Sequence, residues 1–309
     1  MEDDIAERFE EKMAVSGRAR GGKARGGGSA RGGGGTKGRD VDLSRALSKL
    51  LRHQAASAGI KLDSEGYAPL DQVLQYAPIR ALKPSLSEIQ TAVRESDKQR
   101  FAIKPNPLTN PSLDETSTNP ADWLIRANQG HSIKVDSSSL LTPLALPLPD
   151  GTQPPNTLPV PKTVIHGTYL AFWPRIVASG GLRPMGRNHV HCSTGLPEDE
   201  AAGVVSGMRR DAEVLIYLDV AGSLRDGDEN GQAGGGIKWW MSDNGVVLTE
   251  GDADGLVPVT LFKEVVGRTQ GVGVLWKDGE KVKDLPEGLR IKTPQGKGYA
   301  GRGGRGGGG

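Results

Sequence analysis

The 309 residues carry 39 Lys and Arg against 37 Asp and Glu, a formal net charge of +2, and 36% of them are hydrophobic. That is enough apolar material for one large or two modest cores, while the lone cysteine, Cys192, excludes an intrachain disulfide and a cysteine-rich metal site. No apolar run reaches the length of a membrane span and the acidic Met1–Val15 lacks a secretory apolar stretch, so an intracellular protein of nucleus or cytoplasm is expected.

Glycine is concentrated at the ends: residues 17–38 hold eleven of the 45 and residues 296–309 hold nine. Both segments are Arg/Gly-rich, with too few apolar side chains to offset chain entropy, and are expected to be disordered tails. Residues 16–39 carry seven bases and no acid, whereas residues 40–295 sum to −4. A strong anion site in that slightly acidic middle must therefore be a local cluster.

Val41–His53, VDLSRALSKLLRH, predicts a helix. Leu43, Leu47 and Leu50 share one face at i, i+4, i+7, and Arg45, Lys49 and Arg52 share another. Taken alone, that basic stripe reads as a solvated face. A second helix is expected after Pro69, with Leu70, Val73 and Leu74 inward. A third starts at Ser85, where Ser85 and Glu88 have capping-box spacing ahead of Ile89, Ala92 and Val93. Arg100–Lys104 reads as a strand. Trp123–Ala127 and Ser132–Val135 read as a hairpin closed by residues 128–131. Three helices and such strands suggest a winged-helix-like unit over 41–140, with 105–121, rich in Pro, Asn, Ser and Thr, as a surface insertion.

Residues 141–161 hold seven prolines and predict an extended linker. Beyond it Val164-Ile165, Val190–Ser193, Val214–Val220 and Val246–Thr249 are β-rich, 170–179 and 199–206 read as helical, and Gly222–Gly236 as a loop. The expected class is α+β, with a second, mixed unit over 162–266. Residues 267–309 read as a polar extension and tail.

The five histidines, His53, His131, His166, His189 and His191, all sit beside Arg, Asn, Gly or Ser at expected element ends. There a histidine serves as readily for structural hydrogen bonding as for chemistry. On a strand His189 and His191 share a face while Cys192 points away, and no CxxC accompanies them, so no metal site is expected. No nucleophile elbow or phosphate-binding P-loop occurs, and Gly301, Gly303 and Gly306 lack the strand and helix that a dinucleotide fingerprint needs.

Eight segments in order carry a resemblance: LSRALSKLLRH (43–53), DSEGYAPLDQVL (63–74), SDKQRFAI (96–103), RANQGHSIKV (126–135), VIHGTYL (164–170), MGRNHVHCS (185–193), SGMRRDAEVLIYLD (206–219) and NGVVLTEG (244–251). Over 41–266 the chain resembles the tRNA 2'-phosphotransferase family. The resemblance implies the last step of tRNA splicing. The splice-junction 2'-phosphate passes to NAD, giving 2'-OH RNA, nicotinamide and ADP-ribose 1'',2''-cyclic phosphate. It also implies that the first unit handles RNA and that the second is an ADP-ribosyltransferase-like NAD fold.

The family's catalytic set falls on Arg52, His53, Arg100 and Arg187. This chemistry suits those residue types. The phosphate nucleophile is already an anion, so positioning and charge matter more than a strong base, and guanidinium groups supply both. His53 is the candidate for the ribose-hydroxyl proton of the second step. For NAD, the resemblance points to His166, Gly167 and Thr168 around the nicotinamide ribose, His189 and Ser193 in the same cleft, and Arg209 at the pyrophosphate. Gly167 is expected to let backbone approach the ligand. Arg45, Lys49, Asn128, Gln129 and His131 are the expected RNA contacts, although Asn128 and His131 equally suit hairpin caps. RNA and NAD are thus the expected partners of a monomer with no metal and no membrane. Two alternatives stay open: an ADP-ribosyltransferase acting on RNA ends or protein, with Glu250 as its nearest carboxylate, and an RNA-binding adaptor built on the Arg/Gly tails.

Overall fold

The computed structural model describes residues 36–198, 206–225 and 236–292. Helix α1, Thr36–Lys49, runs without a break into a π-helical turn, Leu50–Gln54. Its expected apolar face is buried, with Leu43 at 4% exposure and Leu47 and Leu50 at 0%. Helix α2, Leu70–Gln75, starts after Pro69 at φ −60°, where the fixed ring suits a helix entry, and buries Leu70 and Val73. Helix α3, Ala77–Leu82, is an addition to the expected elements: Pro78 opens it and Lys83, at φ 48°, ends it left-handed. Helix α4, Leu86–Arg94, begins on the expected capping box. The Glu88 N–H donates to Ser85 Oγ (3.2 Å), and the Ser85 N–H donates to Glu88 Oε2 (2.7 Å).

Strands β1 (Ala68–Pro69), β2 (Phe101–Pro105) and β3 (Trp123–Ala127) form an antiparallel sheet in the order β1-β3-β2. The expected hairpin of β3 with Ser132–Val135 does not form, because β3 pairs instead with β1 and β2. Residues 132 and 133 donate their N–H groups to the Arg52 carbonyl, and Asn188 takes the carbonyls of His131 and Ile133. Their backbone groups thus go to partners that no hairpin supplies, and the chain crosses to its carboxy-terminal part. Of the expected insertion 105–121, Pro105 ends β2, residues 106–119 form turns and loops, and a 3-10 turn, Pro120–Asp122, leads into β3. The buried Asn106 and Asn110 side chains accept the N–H groups of Leu108 and Asp114.

Residues 141–161 depart from an extended linker. After helix α5 (Ser137–Leu140), strand β4 (Thr142–Ala145) enters the first of two five-stranded sheets and buries Leu144. Strand β5 (Leu158–Pro159) pairs parallel to β4 at the edge, where proline's missing N–H is tolerated. Strands β6 (Ile165–Thr168), β7 (Gly181–Leu182), β8 (Val190–Cys192) and β9 (Val214–Leu218) follow, with helix α6 (Trp173–Ala178) after β6 and α7 (Val220–Arg225) after β9. Helix α7 replaces the start of the expected Gly222–Gly236 loop. Residues 226–235, and all but Ser206 of the helix expected over 199–206, lie outside the described residues.

Strands β10 (Trp240–Met241), β11 (Val247–Thr249), β12 (Val257–Pro258), β13 (Phe262–Gly267), β14 (Gly273–Lys277) and β15 (Glu280–Lys281) complete the fold. The first five-stranded sheet runs β5-β4-β10-β11-β8; the second runs β15-β14-β13-β9-β6, antiparallel throughout, and β12 pairs with β7. The expected boundary at 266 is therefore too early, since β14 and β15 belong to the sheet. Val272, Leu275 and Trp276 are buried, and the rings of Trp173, Phe262 and Trp276 pack at 6.2–6.3 Å between centroids.

The result is a mixed α+β fold with two main cores. One gathers α1 to α4 and the first sheet; the other lies around β6, β8, β9 and β13. Polar clamps join them. The buried Arg126 donates to Asp243 Oδ2 (2.5 Å) and to the Glu65 carbonyl (2.9 Å), and Asn244 Nδ2 donates to the Lys98 carbonyl (2.9 Å). Among the described residues no helix is long and apolar enough to cross a membrane.

Candidate functional site

A cavity of about 560 Å³ lies where the two parts of the chain meet. That is within the ~300–1,000 Å³ typical of small-molecule sites. Seven of its lining residues are cations (Arg52, Lys98, Arg100, Arg175, Arg183, Arg187 and Arg209), and no Asp or Glu lines it among the described residues. The local cluster that the charge pattern demanded is here.

The amino-terminal wall is built from element ends. Arg52 stands in the π turn and is 3% exposed. Such turns widen a helix locally and recur at functional sites. Its carbonyl is held by the Ser132 and Ile133 N–H groups, and Gly130 packs against its side chain. At Gly130, φ is +89°, and an added Cβ would lie 3.4 Å from Arg52 Nε. That is ordinary contact, so it is the left-handed backbone that calls for glycine here. Arg100 is presented just ahead of β2. Its carbonyl accepts the Asn128 N–H (2.9 Å), while Asn128 Nδ2 donates to the Gln99 carbonyl (2.8 Å). Gln129 lines the cavity with a buried Oε1 that has no hydrogen-bond partner among the described residues.

The carboxy-terminal wall is built from β6, β8 and the loops beside them. His166 Nδ1 lies 2.9 Å from the His191 carbonyl, and His191 Nδ1 lies 2.9 Å from the His189 carbonyl. A carbonyl only accepts, so each Nδ1 carries the proton. Burial first, then the nearby Arg187 charge, holds His191 well below its ordinary 6.5. Burial also lowers His189, against a smaller upward pull from Glu250. Arg209 Nη1 donates to the Tyr169 hydroxyl (3.1 Å), which donates to Asp211 Oδ1 (3.0 Å). Burial is the main cause that raises Tyr169 to about 12. Gly167 also makes room for a neighbour. A Cβ there would lie 2.4 Å from Met208 Cγ, so the missing side chain admits Met208.

Of the expected site residues, the cavity gathers Arg52, Arg100, Arg187, His166, Gly167, Thr168, His189, Arg209 and Gln129. The others fall outside its lining. His53 Nδ1 lies 2.8 Å from Ser132 Oγ. Ser193 is fully buried and donates to the Gly195 carbonyl (2.7 Å), closing its own turn. Arg45 pairs with Asp42 at 3.1 Å, and Lys49 also lies away from the lining. Asn128 holds the Gln99–Arg100 backbone. His131 is buried behind the wall, its carbonyl held by the Asn188 N–H, and burial followed by the Arg52 charge lowers it to about 3. The sequence reading missed Lys98, Tyr169, Phe172, Arg175, Arg183, Met185 and Met208, and gave His191 no role. Tyr169, Phe172 and Ile176, spaced three and four apart, were a legible apolar face, but nothing local separates a core face from a cavity wall.

A family model described as RNA 2'-phosphotransferase, Tpt1 / KptA family, matches residues 38–251. The tRNA 2'-phosphotransferase 1 of Bos taurus is 39% identical over 231 residues, 74% of this chain and 76% of that protein. The tRNA 2'-phosphotransferase of Saccharomyces cerevisiae is 36% identical over 247 residues, 80% and 90% respectively. A probable RNA 2'-phosphotransferase of Rhizobium johnstonii is 30% identical over 211 residues, 68% and 89%.

Proposed function

The chain belongs to the RNA 2'-phosphotransferase, Tpt1 / KptA, family, and we propose that it transfers the splice-junction 2'-phosphate of ligated tRNA to NAD. One observation carries this reading: a cavity of ligand size whose wall holds, among the described residues, seven cations and no carboxylate, inside a chain section of negative net charge. Such a wall suits two phosphate-bearing substrates at once. In this reading the amino-terminal part is a winged-helix-like unit for RNA, and the carboxy-terminal part is an ADP-ribosyltransferase-like unit for NAD.

Bound NAD supplies a ribose carbon that loses nicotinamide. The protein's own work is positional. Arg52 and Arg100 hold the RNA phosphate from one wall and Arg187 meets it from the other. Arg209, steadied by Tyr169 and Asp211, takes the pyrophosphate, and His166 and Thr168 lie along the nicotinamide ribose. Always-charged guanidinium groups keep this field at any pH near neutral. The buried Gln129 Oε1 offers an acceptor to a hydroxyl or amide of either substrate. Outside the lining, Asn128 keeps Arg100 in place, and RNA beyond the cavity is met by Arg45, Lys49 and the Arg/Gly segments.

His53 favours a second reading, because it lies outside the cavity wall and bonds Ser132. With His53 away from the ribose hydroxyl, the second step lacks its proton-transfer group and the reaction stops at ADP-ribosylated RNA. One assay separates the two: a short RNA with one internal 2'-phosphate, with and without NAD, for wild type and His53→Ala. The first reading expects 2'-OH RNA and ADP-ribose 1'',2''-cyclic phosphate from wild type, with ADP-ribosylated RNA accumulating in the variant. Wild type that accumulates ADP-ribosylated RNA supports the second. An RNA left unchanged in the presence of NAD overturns both.

A further inference from the structure

Three side chains meet behind the cavity, and their protons can be counted. Ser137 Oγ lies 2.5 Å from Glu250 Oε1 and 2.8 Å from His189 Nε2. The direct distance from His189 Nε2 to Glu250 Oε1 is 3.6 Å, too long for a hydrogen bond, so the hydroxyl is the intermediary. Ser137 is 7% exposed and His189 is 4% exposed. The fold brings them from separate places. Val190 in β8 pairs with Thr249 in β11, which sets His189 and Glu250 on neighbouring chain ends, while Ser137 arrives on α5 from the amino-terminal side.

A hydroxyl has one proton, and a carboxylate only accepts. The Ser137 proton therefore goes to Glu250, and the proton between Ser137 and His189 belongs to His189 Nε2. That leaves Nδ1 as the acceptor of a ring that forms part of the cavity wall. Its neighbours His166 and His191 are held the opposite way, with the proton on Nδ1. The wall thus carries histidines of both tautomers, each set by its own partner.

We propose that Ser137 and Glu250 are positioning residues that lock His189 in the Nε2–H tautomer, so that its Nδ1 accepts a hydrogen bond from a ribose hydroxyl of a bound substrate. This rests on the NAD and RNA reading of the cavity. It adds the group that recognises a sugar hydroxyl and the two residues that set that group's polarity. The ribose belongs either to the dinucleotide or to the RNA, and kinetics separate them.

The test uses the full chain labelled with ¹⁵N-histidine, whose five histidines make a readable spectrum, with His189 assigned by His189→Gln. Wild type shows the Nε2–H form. Ser137→Ala loses that preference and Ser137→Thr, which keeps the hydroxyl, retains it. Glu250→Ala is the sharper variant, at a carboxylate whose side chain is 60% exposed and safe for folding. Without its acceptor, Ser137 is free to donate to Nε2, and His189 shifts toward Nδ1–H. In steady state Ser137→Ala raises one KM about tenfold while kcat stays within about threefold, the pattern of a lost binding contact. A rise for NAD alone assigns the dinucleotide ribose, and a rise for RNA alone assigns the RNA. An Nδ1–H form in wild type, or a Glu250→Ala spectrum identical to wild type, overturns the proposal. If wild type fails to turn RNA over, the functional reading falls separately, and the histidine spectra still decide the tautomer lock.

Discussion

The two walls of the cavity are unequal. Among the described residues the amino-terminal wall supplies four, Arg52, Lys98, Arg100 and Gln129, and three of them are cations. The carboxy-terminal wall supplies 22, with four cations, three histidines and the apolar side chains. One wall is almost pure charge held by backbone hydrogen bonds. The other combines charge with shape and with neutral donors and acceptors. The contrast fits two ligands of different character: a phosphate whose surroundings vary, and a nucleotide whose shape is constant.

The contrast has consequences that experiments can break. The largest effect is expected on the sparse wall. Arg52→Ala should lower kcat/KM by about 10²–10³-fold, as losing a positioned electrostatic contact does, whereas Arg209→Ala should mainly raise the KM for NAD. Equal losses in kcat from both would dissolve the distinction between the walls.

The second effect is on stability. His131 has a folded value of about 3, below its ordinary 6.5. Above pH 6.5 both folded and unfolded chains leave it neutral. Below that, the unfolded chain takes up a proton that the folded chain refuses, so stability falls as pH falls toward about 3. His131 should contribute about 2 kcal/mol of the loss by roughly pH 5, beside the contributions of the buried His191 and His189, which are lowered as well. Urea unfolding across that range measures it, and His131→Gln should flatten the slope. An unchanged slope would show that His131 is not the group responsible.

Gly130→Ala tests the support of Arg52 without touching any charge. The left-handed backbone should cost about 1–2 kcal/mol in thermal or urea unfolding, and turnover should fall with it because relaxing that strain moves the backbone packed against Arg52. Full activity would mean that Arg52 tolerates displacement. The smallest effect is expected for Arg45→Ala, outside the lining, with turnover of a short RNA within about twofold of wild type. A loss comparable to that of Arg52→Ala would enlarge the site beyond the cavity.

How much of this was legible follows from the range of the interactions. Helix α1, the Ser85–Glu88 capping box and the strand cores of β2, β3, β6, β8, β9 and β11 are dictated by neighbours three or four residues apart, or by β-rich runs, and so appeared in the sequence. The hairpin expected at 123–135 failed because the partner of β3 is β2, across the 105–121 insertion, and because Arg52 and Asn188 claim the backbone of 131–133. The linker expected at 141–161 failed because Thr142 and Pro143 pair with Met241 and Trp240 of β10, some hundred residues away.

The sequence by itself determined the α+β class, the basic chain ends and, through eight short segments in order, the family resemblance. It also held the Arg, His and Gly residues that the cavity uses, since residue type and local spacing are properties of the chain. Tertiary structure decided which of them meet. It placed Arg52, Arg100 and Arg187 around one space, left His53 and Ser193 outside its lining, and recruited Lys98, Arg175 and Arg183, which no local pattern distinguished from surface charge. It also set the protons of His166, His189 and His191, because a ring's tautomer depends on the atom it faces, and those atoms arrive from elsewhere in the chain.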